Sequence, residues 1–206
     1  HHRALDMARS LVDFEPCSSE VRMLKAKALQ ALNDPVRAIM AADESLALDP
    51  TSSQAYGLRA QLNFMLARSV TTNVALRNKH CADAIRDFDK GIALGLPPLA
   101  DLDLAALMIS LLYTDQPERA VIEARKIDNP ELRHFAASET ARVYREMGKP
   151  EEGKRLAAEM TVGLPAPASF GVGPAPAPTT GPTPAPAVGP TPPPVTGPTP
   201  PAPGLP

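Results

Sequence analysis

The segment Ala38–Tyr56, AIMAADESLALDPTSSQAY, contains the second half of one helical pattern and the start of the next. Small residues at Ala38, Ala42 and Ser45 recur at spacings of four and three, which places them on one face of a helix. The DP pair ends this helix, because proline cannot continue it, and the TSS that follows supplies side chains able to cap the next one. The segment therefore predicts two helices that meet at a tight turn.

The same alternation of helices and turns extends on both sides of this segment. Eight of the 25 prolines lie in the first 160 residues, at positions typical of helix starts and stops. Pro35 lies in the first turn of the preceding helix, and Pro117 and Pro150 follow turn sequences in the same way. Residues 99–113, LADLDLAALMISLLY, are apolar on nearly all sides, which predicts a helix enclosed by its neighbours.

One unit of this pattern, from Ser19 to Ser52, spans 34 residues. LALDP with small residues upstream, followed by Tyr56 and Ala60, resembles the tetratricopeptide repeat. The resemblance implies an all-α, right-handed superhelical solenoid of antiparallel helix pairs, in which each pair buries its apolar face on the next. The expected units are a half repeat at 3–16 and repeats at 19–52, 53–97, 98–130 and 131–163.

The second full repeat is longer than the pattern allows. Its second helix, CADAIRDFDKGIALGLPP from Cys81, places Ala84, Phe88 and Gly91 at the small, aromatic and small positions, but it begins about 12 residues late. We expect the surplus, at residues 68–80, to be either an extended helix end or a loop within the pair.

The composition changes after Gly163. The last charged residue is Glu159, and 17 prolines lie at or after Pro165. From Gly173 an eight-residue period gives GPAPAPTT, GPTPAPAV, GPTPPPVT and GPTPPAPG. Alternating proline excludes helices and sheet ladders, and the repeats lack the large apolar residues of a core. We therefore expect residues 164–206 to be a disordered tail with polyproline II character. It acts as a spacer in this interpretation, while its PxxP spacings leave a ligand role open.

Composition and motifs indicate no catalytic or nucleic-acid site. The net charge of −2 provides no basic excess to neutralise phosphates, and no apolar run approaches the roughly 18 residues of a membrane span. There is no glycine-rich phosphate loop, HExxH or paired CxxC. His80 and Cys81 are adjacent, so they do not face each other on a helix. We expect no enzymatic activity, cofactor or metal, and we expect Cys17 and Cys81 to be free.

In the tetratricopeptide family the first helix of each pair lines a concave groove. The resemblance therefore implies a mixed groove, apolar in the middle and basic toward its C-terminal end, formed by Met23, Lys27, Gln30, Gln54, Gln61, Phe64, Leu102, Ile109, Tyr113, Ser138, Arg142 and Arg145. Leu102 and Ile109 fit the core equally well. Some members hold the carboxylate of a chaperone tail with lysine and asparagine, but Met23, Lys27 and Leu58 stand at the matching positions here, which disfavours that partner.

These observations predict a non-enzymatic scaffold or adaptor that binds a protein segment in its groove. Arg142 and Arg145, nearly one turn apart, suggest an acidic partner segment. The incomplete first unit leaves an apolar edge, which suggests self-association there. The alternative is the non-catalytic part of a larger enzyme, or a structural subunit of a larger complex. The sequence leaves the cellular compartment open.

Overall fold

The computed structural model describes residues 2–15 and 17–164. Within these ranges the chain forms helices and no strands, and it is an all-α solenoid of antiparallel helix pairs, which confirms the predicted fold class. The helices are α1 (His2–Phe14), α2 (Ser19–Ala31), α3 (Pro35–Leu48), α4 (Ser53–Ser69), α5 (Val74–Ala93), α6 (Asp101–Tyr113), α7 (Pro117–Arg125), α8 (Pro130–Glu146) and α9 (Pro150–Met160). Apart from Leu164, the proline-rich tail predicted at 164–206 lies outside the described residues.

Local side chains and prolines explain why the helices begin where they do. Ser18, Asp34, Ser52 and Asn73 each accept a hydrogen bond from a backbone N–H in the first turn of the helix that follows. Proline occupies the first turn of α3, α7, α8 and α9, where its missing N–H costs no helical hydrogen bond. From α2 onward the connections are three or four residues long, apart from residues 94–100 between α5 and α6, and such short turns favour antiparallel neighbours.

The helices pack in successive pairs. α2 packs on α3, α4 on α5, α6 on α7 and α8 on α9, while α3–α4, α5–α6 and α6–α8 contacts join the pairs. Ala38, Ala42 and Ser45 are buried, and Ser45 Oγ donates to the backbone oxygen of Ser19 at 2.8 Å. The small residues thus hold α3 close against α2, as the sequence pattern predicts.

The surplus at residues 68–80 contains both of the expected features. α4 continues to Ser69, residues 70–73 form a short loop, and α5 begins at Val74, seven residues before Cys81. The greater part of the surplus is therefore an N-terminal extension of α5, residues 74–80. No helix in the described part of the chain is both long enough and apolar enough to cross a bilayer.

Candidate functional site

A groove of about 610 Å³ lies along α2, α4 and the segment that leads into α6. Four of the residues predicted to bind a partner line it together: Lys27 and Gln30 from α2, and Gln54 and Gln61 from α4. We call it the glutamine groove. Its remaining wall includes residues 96–100, Leu-Pro-Pro-Leu-Ala, which the sequence analysis did not select.

A chain of side-chain hydrogen bonds crosses this groove. Gln30 Nε2 donates to Gln61 Oε1 at 3.3 Å, and Gln61 Nε2 donates to Asp103 Oδ1 at 2.8 Å. The three residues lie on α2, α4 and α6, so the chain links the first helices of three successive pairs. Burial raises the pKa of Asp103, although the hydrogen bond from Gln61 favours its charged form.

The groove combines this polar chain with apolar walls. Gln30 keeps an acceptor oxygen, Gln61 keeps a second N–H, and Asp103 keeps its other carboxyl oxygen for further hydrogen bonds. Leu58 and Phe88 also line the groove, and both side chains are buried. The arrangement can therefore pair with the N–H and C=O groups of an extended peptide while covering apolar surface.

A second pocket, of about 420 Å³, lies at the other end of α4. Phe64, Tyr113 and Arg142, which the sequence analysis selected, line it together with Arg68 and Arg77. We call it the arginine pocket. Arg77 comes from the N-terminal extension of α5, so residues that the repeat pattern does not account for build part of its wall.

Arg77 and Arg142 both contact Tyr113 in this pocket, Arg77 at the ring and Arg142 at the hydroxyl group. The Arg77 guanidinium lies 4.1 Å from the centre of the Tyr113 ring, and Arg77 Nη1 lies 3.6 Å from Glu146 Oε2. Arg142 donates to Tyr113 Oη at 3.0 Å, to Glu139 Oε2 at 2.7 Å and to Glu146 Oε1 at 2.5 Å. The hydrogen bond with Glu139 contributes most to a raised Arg142 pKa.

These ion pairs alter the expected charge at the C-terminal end of the groove. Two carboxylates balance Arg142, while Arg145 is exposed and does not line the arginine pocket. Ser138 is also exposed, and its Oγ donates to Phe135 O within α8 at 2.7 Å. The positive charge at this end therefore depends on Arg68 and Arg77 as well.

Two of the remaining candidates, Met23 and Leu102, line neither of these two sites. Met23 and Gln54 line a depression of about 310 Å³ where α2, the end of α3 and the start of α4 meet. Leu102 is 73% exposed, whereas Ile109 is 6% exposed, belongs to the core and borders the arginine pocket. Ile109 is therefore a core residue, whereas Leu102 is not in the core and its place in a groove stays a prediction.

The His80–Cys81 pair does not form a thiolate–imidazole couple. His80 Nδ1 lies 3.2 Å from Asn63 Oδ1, and burial lowers the pKa of His80. Burial also raises the pKa of the Cys81 thiol to about 11, so it is protonated at neutral pH. Both cysteines are free, and within residues 2–15 and 17–164 no cluster of three or more His, Cys, Asp or Glu could hold a metal ion.

The helix pairs and their groove define a tetratricopeptide-like solenoid. No family model and no curated protein matches the chain. Two solved structures of MamA match it, each with a TM-score of 0.54, at 18% and 17% sequence identity. The matches cover 76% of this chain and 79% and 84% of the MamA chains. At this identity the likeness establishes the fold alone.

Proposed function

We propose that the protein is a non-enzymatic scaffold that binds an extended segment of a partner protein in the glutamine groove. The observation that supports it best is the hydrogen-bonded chain Gln30–Gln61–Asp103, which joins three first helices across one open groove. Stacked helix pairs commonly use such concave surfaces for binding. The likeness to MamA supports this proposal through the fold that it establishes.

An extended peptide fits the groove better than a helix does. A helix satisfies its own backbone groups, and so it would leave the amides of Gln30 and Gln61 facing side chains only. An extended chain presents unpaired N–H and C=O groups, which are complementary to carboxamides that both donate and accept. Residues 96–99, which are exposed or half-buried, provide apolar surface for the peptide's side chains.

Selection from a random peptide library tests this proposal. Peptides enriched on the wild-type protein should bind the Gln61→Ala variant at least tenfold more weakly, because that substitution removes the middle of the hydrogen-bonded chain. Gln116→Ala is the matched control, since Gln116 lies in the turn before α7 and its Nε2 donates to Thr114 Oγ1. Enriched peptides that bind the Gln61→Ala variant unchanged would exclude the groove as their site.

A further inference from the structure

The arginine pocket has a charge arrangement that its internal ion pairs do not balance. Its lining contains three arginines, Arg68, Arg77 and Arg142, and two carboxylates, Glu139 and Glu146. Arg142 contacts both carboxylates, and Arg77 reaches only Glu146, at 3.6 Å. Arg68 is exposed and pairs with no acidic side chain among the described residues.

Arg77 also carries a donor without an acceptor. Its side chain is only 16% exposed, and its Nε is buried and makes no hydrogen bond to any described residue. A buried guanidinium N–H without a partner is costly, because desolvation is not offset by a hydrogen bond. Stacking on Tyr113 holds the guanidinium plane in place and satisfies none of its N–H groups. The pocket therefore lacks an acceptor for Arg77 Nε, although Glu146 lies near Nη1.

Part of the pocket lining is apolar. Phe64 is half-buried, Phe135 is 44% exposed, and Ile109 and Ala67 lie beneath them. An exposed phenylalanine beside a buried isoleucine offers contact surface for a large apolar group. The pocket thus combines cationic and aromatic side chains.

We propose that the arginine pocket binds an acidic side chain of a partner peptide. Arg68 and Arg77 take the carboxylate, and Phe64 and Phe135 take a phenylalanine or similar large apolar side chain that lies close to the acid in the partner's sequence. Guanidinium groups suit this task because their N–H groups match the two oxygens of a carboxylate. The proposal adds a second, charge-selective site to the glutamine groove.

A peptide is favoured over a small anion because the two sites share one face of α4. Gln54, Gln61, Phe64 and Arg68 follow one another at spacings of seven, three and four residues, so they lie along that face. Gln61 lines the glutamine groove and Phe64, less than one turn later, lines the arginine pocket. A chain that leaves the groove along α4 enters the pocket directly. This step rests on the proposed function.

The test uses short synthetic peptides with acetylated and amidated ends, so that no terminal carboxylate is present. One set carries a glutamate one, two or three positions from a phenylalanine, and the matched set replaces the glutamate with glutamine. Binding is followed through the arginine Nε–H resonances of ¹⁵N-labelled protein, and the Arg77→Lys variant assigns the Arg77 signal by removing it. We expect at least one glutamate peptide to shift this signal saturably, and its glutamine analogue to bind at least tenfold more weakly.

Two charge reversals test whether the arginine pocket is the binding site of the glutamate peptide. Arg68→Glu should weaken the glutamate peptide at least tenfold, and because Arg68 is exposed the variant keeps the fold. Lys90→Glu makes the same charge change at an exposed residue of α5 that lines neither site, so it should leave this affinity within twofold. The proposal is overturned if no glutamate peptide binds, if the glutamine analogues bind equally well, or if the two reversals have equal effects. The library selection with Gln61→Ala tests the groove independently.

Discussion

At the scale of single residues, Arg59 joins three helices through one guanidinium group. It donates to both carboxyl oxygens of Asp87, at 2.8 and 2.7 Å, and to Asp43 Oδ1 at 2.6 Å. The Asp87 side chain is 1% exposed, and the hydrogen bond to Asp87 contributes most to the raised pKa of Arg59. The arginine thus ties α4 to α5 and to α3.

Removing Arg59 should destabilise the fold because it leaves the buried Asp87 carboxylate without both of its arginine hydrogen bonds, with only the Nε of the exposed Arg86 4.0 Å away. We expect Arg59→Met to lower the free energy of unfolding by about 3–5 kcal/mol in urea denaturation. Arg119→Met is the control, since the Arg119 and Asp89 side chains are 34% and 45% exposed. That pair should contribute at most about 1 kcal/mol. Equal losses in the two variants would contradict this role for Arg59.

Asp103 should make stability depend on pH. Its pKa in the folded protein is raised above the ordinary value of 3.8, chiefly by burial, so the folded state favours the protonated form. Stability is therefore lost as the pH rises from 3.8 through the raised pKa. Asp103→Asn keeps an acceptor for Gln61 and removes this loss, so the variant should exceed the wild type in stability at pH 7.

Urea midpoints measured between pH 4 and pH 7 test the Asp103 prediction. The advantage of the Asp103→Asn variant should shrink as the pH falls toward 3.8, where the wild-type carboxyl group also becomes neutral. An advantage that stays constant over this range would assign the effect to packing. A variant that is less stable than the wild type at pH 7 would show that the carboxylate form stabilises the fold.

The site residues that the sequence predicts are defined by local patterns, whereas those that it misses are defined by contacts between distant positions in the chain. Gln30 and Gln61 follow from helical spacing and the repeat template, because both are local. In the sequence, Asp103 is one of two carboxylates in the first turn of α6. Carboxylates are common there because the N-terminal end of the helix dipole stabilises negative charge, so the sequence gives no reason to assign Asp103 to a site. Its hydrogen bond from Gln61 joins residues 42 positions apart, and no local pattern indicates such a contact.

At the scale of elements, the N-terminal extension of α5 is the main departure from the repeat pattern. Residues 68–80 contain β-branched and polar residues that suit a loop, followed by helix-forming residues, so the sequence alone permits both structures. Asn73 settles where the helix begins, because its Oδ1 accepts from Leu76 N at 2.9 Å. Arg77 then fixes the extension against Tyr113 of α6 and Glu146 of α8.

Loss of the Asn73 cap should loosen the extension and leave the rest of α5 intact. Asn73→Ala should cost about 1 kcal/mol locally, which corresponds to roughly fivefold faster amide exchange over residues 74–80. Residues 81–93 should exchange at the wild-type rate because Cys81, Ala84 and Phe88 are buried. Asn129→Ala is the matched control, since it removes the cap of α8 instead. Faster exchange along all of α5 would contradict an independently capped extension.

At the scale of the whole molecule, the described helices contain two hydrophobic clusters. The first joins α1–α3 to Leu58 and Leu62 of α4, and the second runs from Ala60 of α4 to Met160 of α9. α4 contributes to both. In repeat proteins each repeat contacts mainly its neighbours, so one part of the stack can unfold while the rest stays folded. The division into a half repeat and four repeats and self-association through α1, where Met7 is 68% exposed, remain predictions.

A cavity in either cluster should therefore destabilise mainly the helices on the same side of α4. Leu29→Ala and Leu107→Ala remove side chains that are 2% and 0% exposed, so each should cost about 2–5 kcal/mol. Leu29→Ala should accelerate amide exchange in α2 and α3, and Leu107→Ala should do so in α6 to α9. Uniform acceleration along the helices in both variants would show one cooperative unit and contradict the two-cluster description.

The proposed function depends on the glutamine groove, and the side-chain amide resonances of Gln30 and Gln61 report on binding there most directly. In a titration with a library-selected peptide, the NH₂ signals of Gln30 and Gln61 should shift saturably together. The peptide should also bind the Gln61→Ala variant at least tenfold more weakly than the Gln116→Ala control. A selected peptide that leaves both amide signals unchanged, or that binds these two variants equally, would contradict binding across the Gln30–Gln61–Asp103 chain.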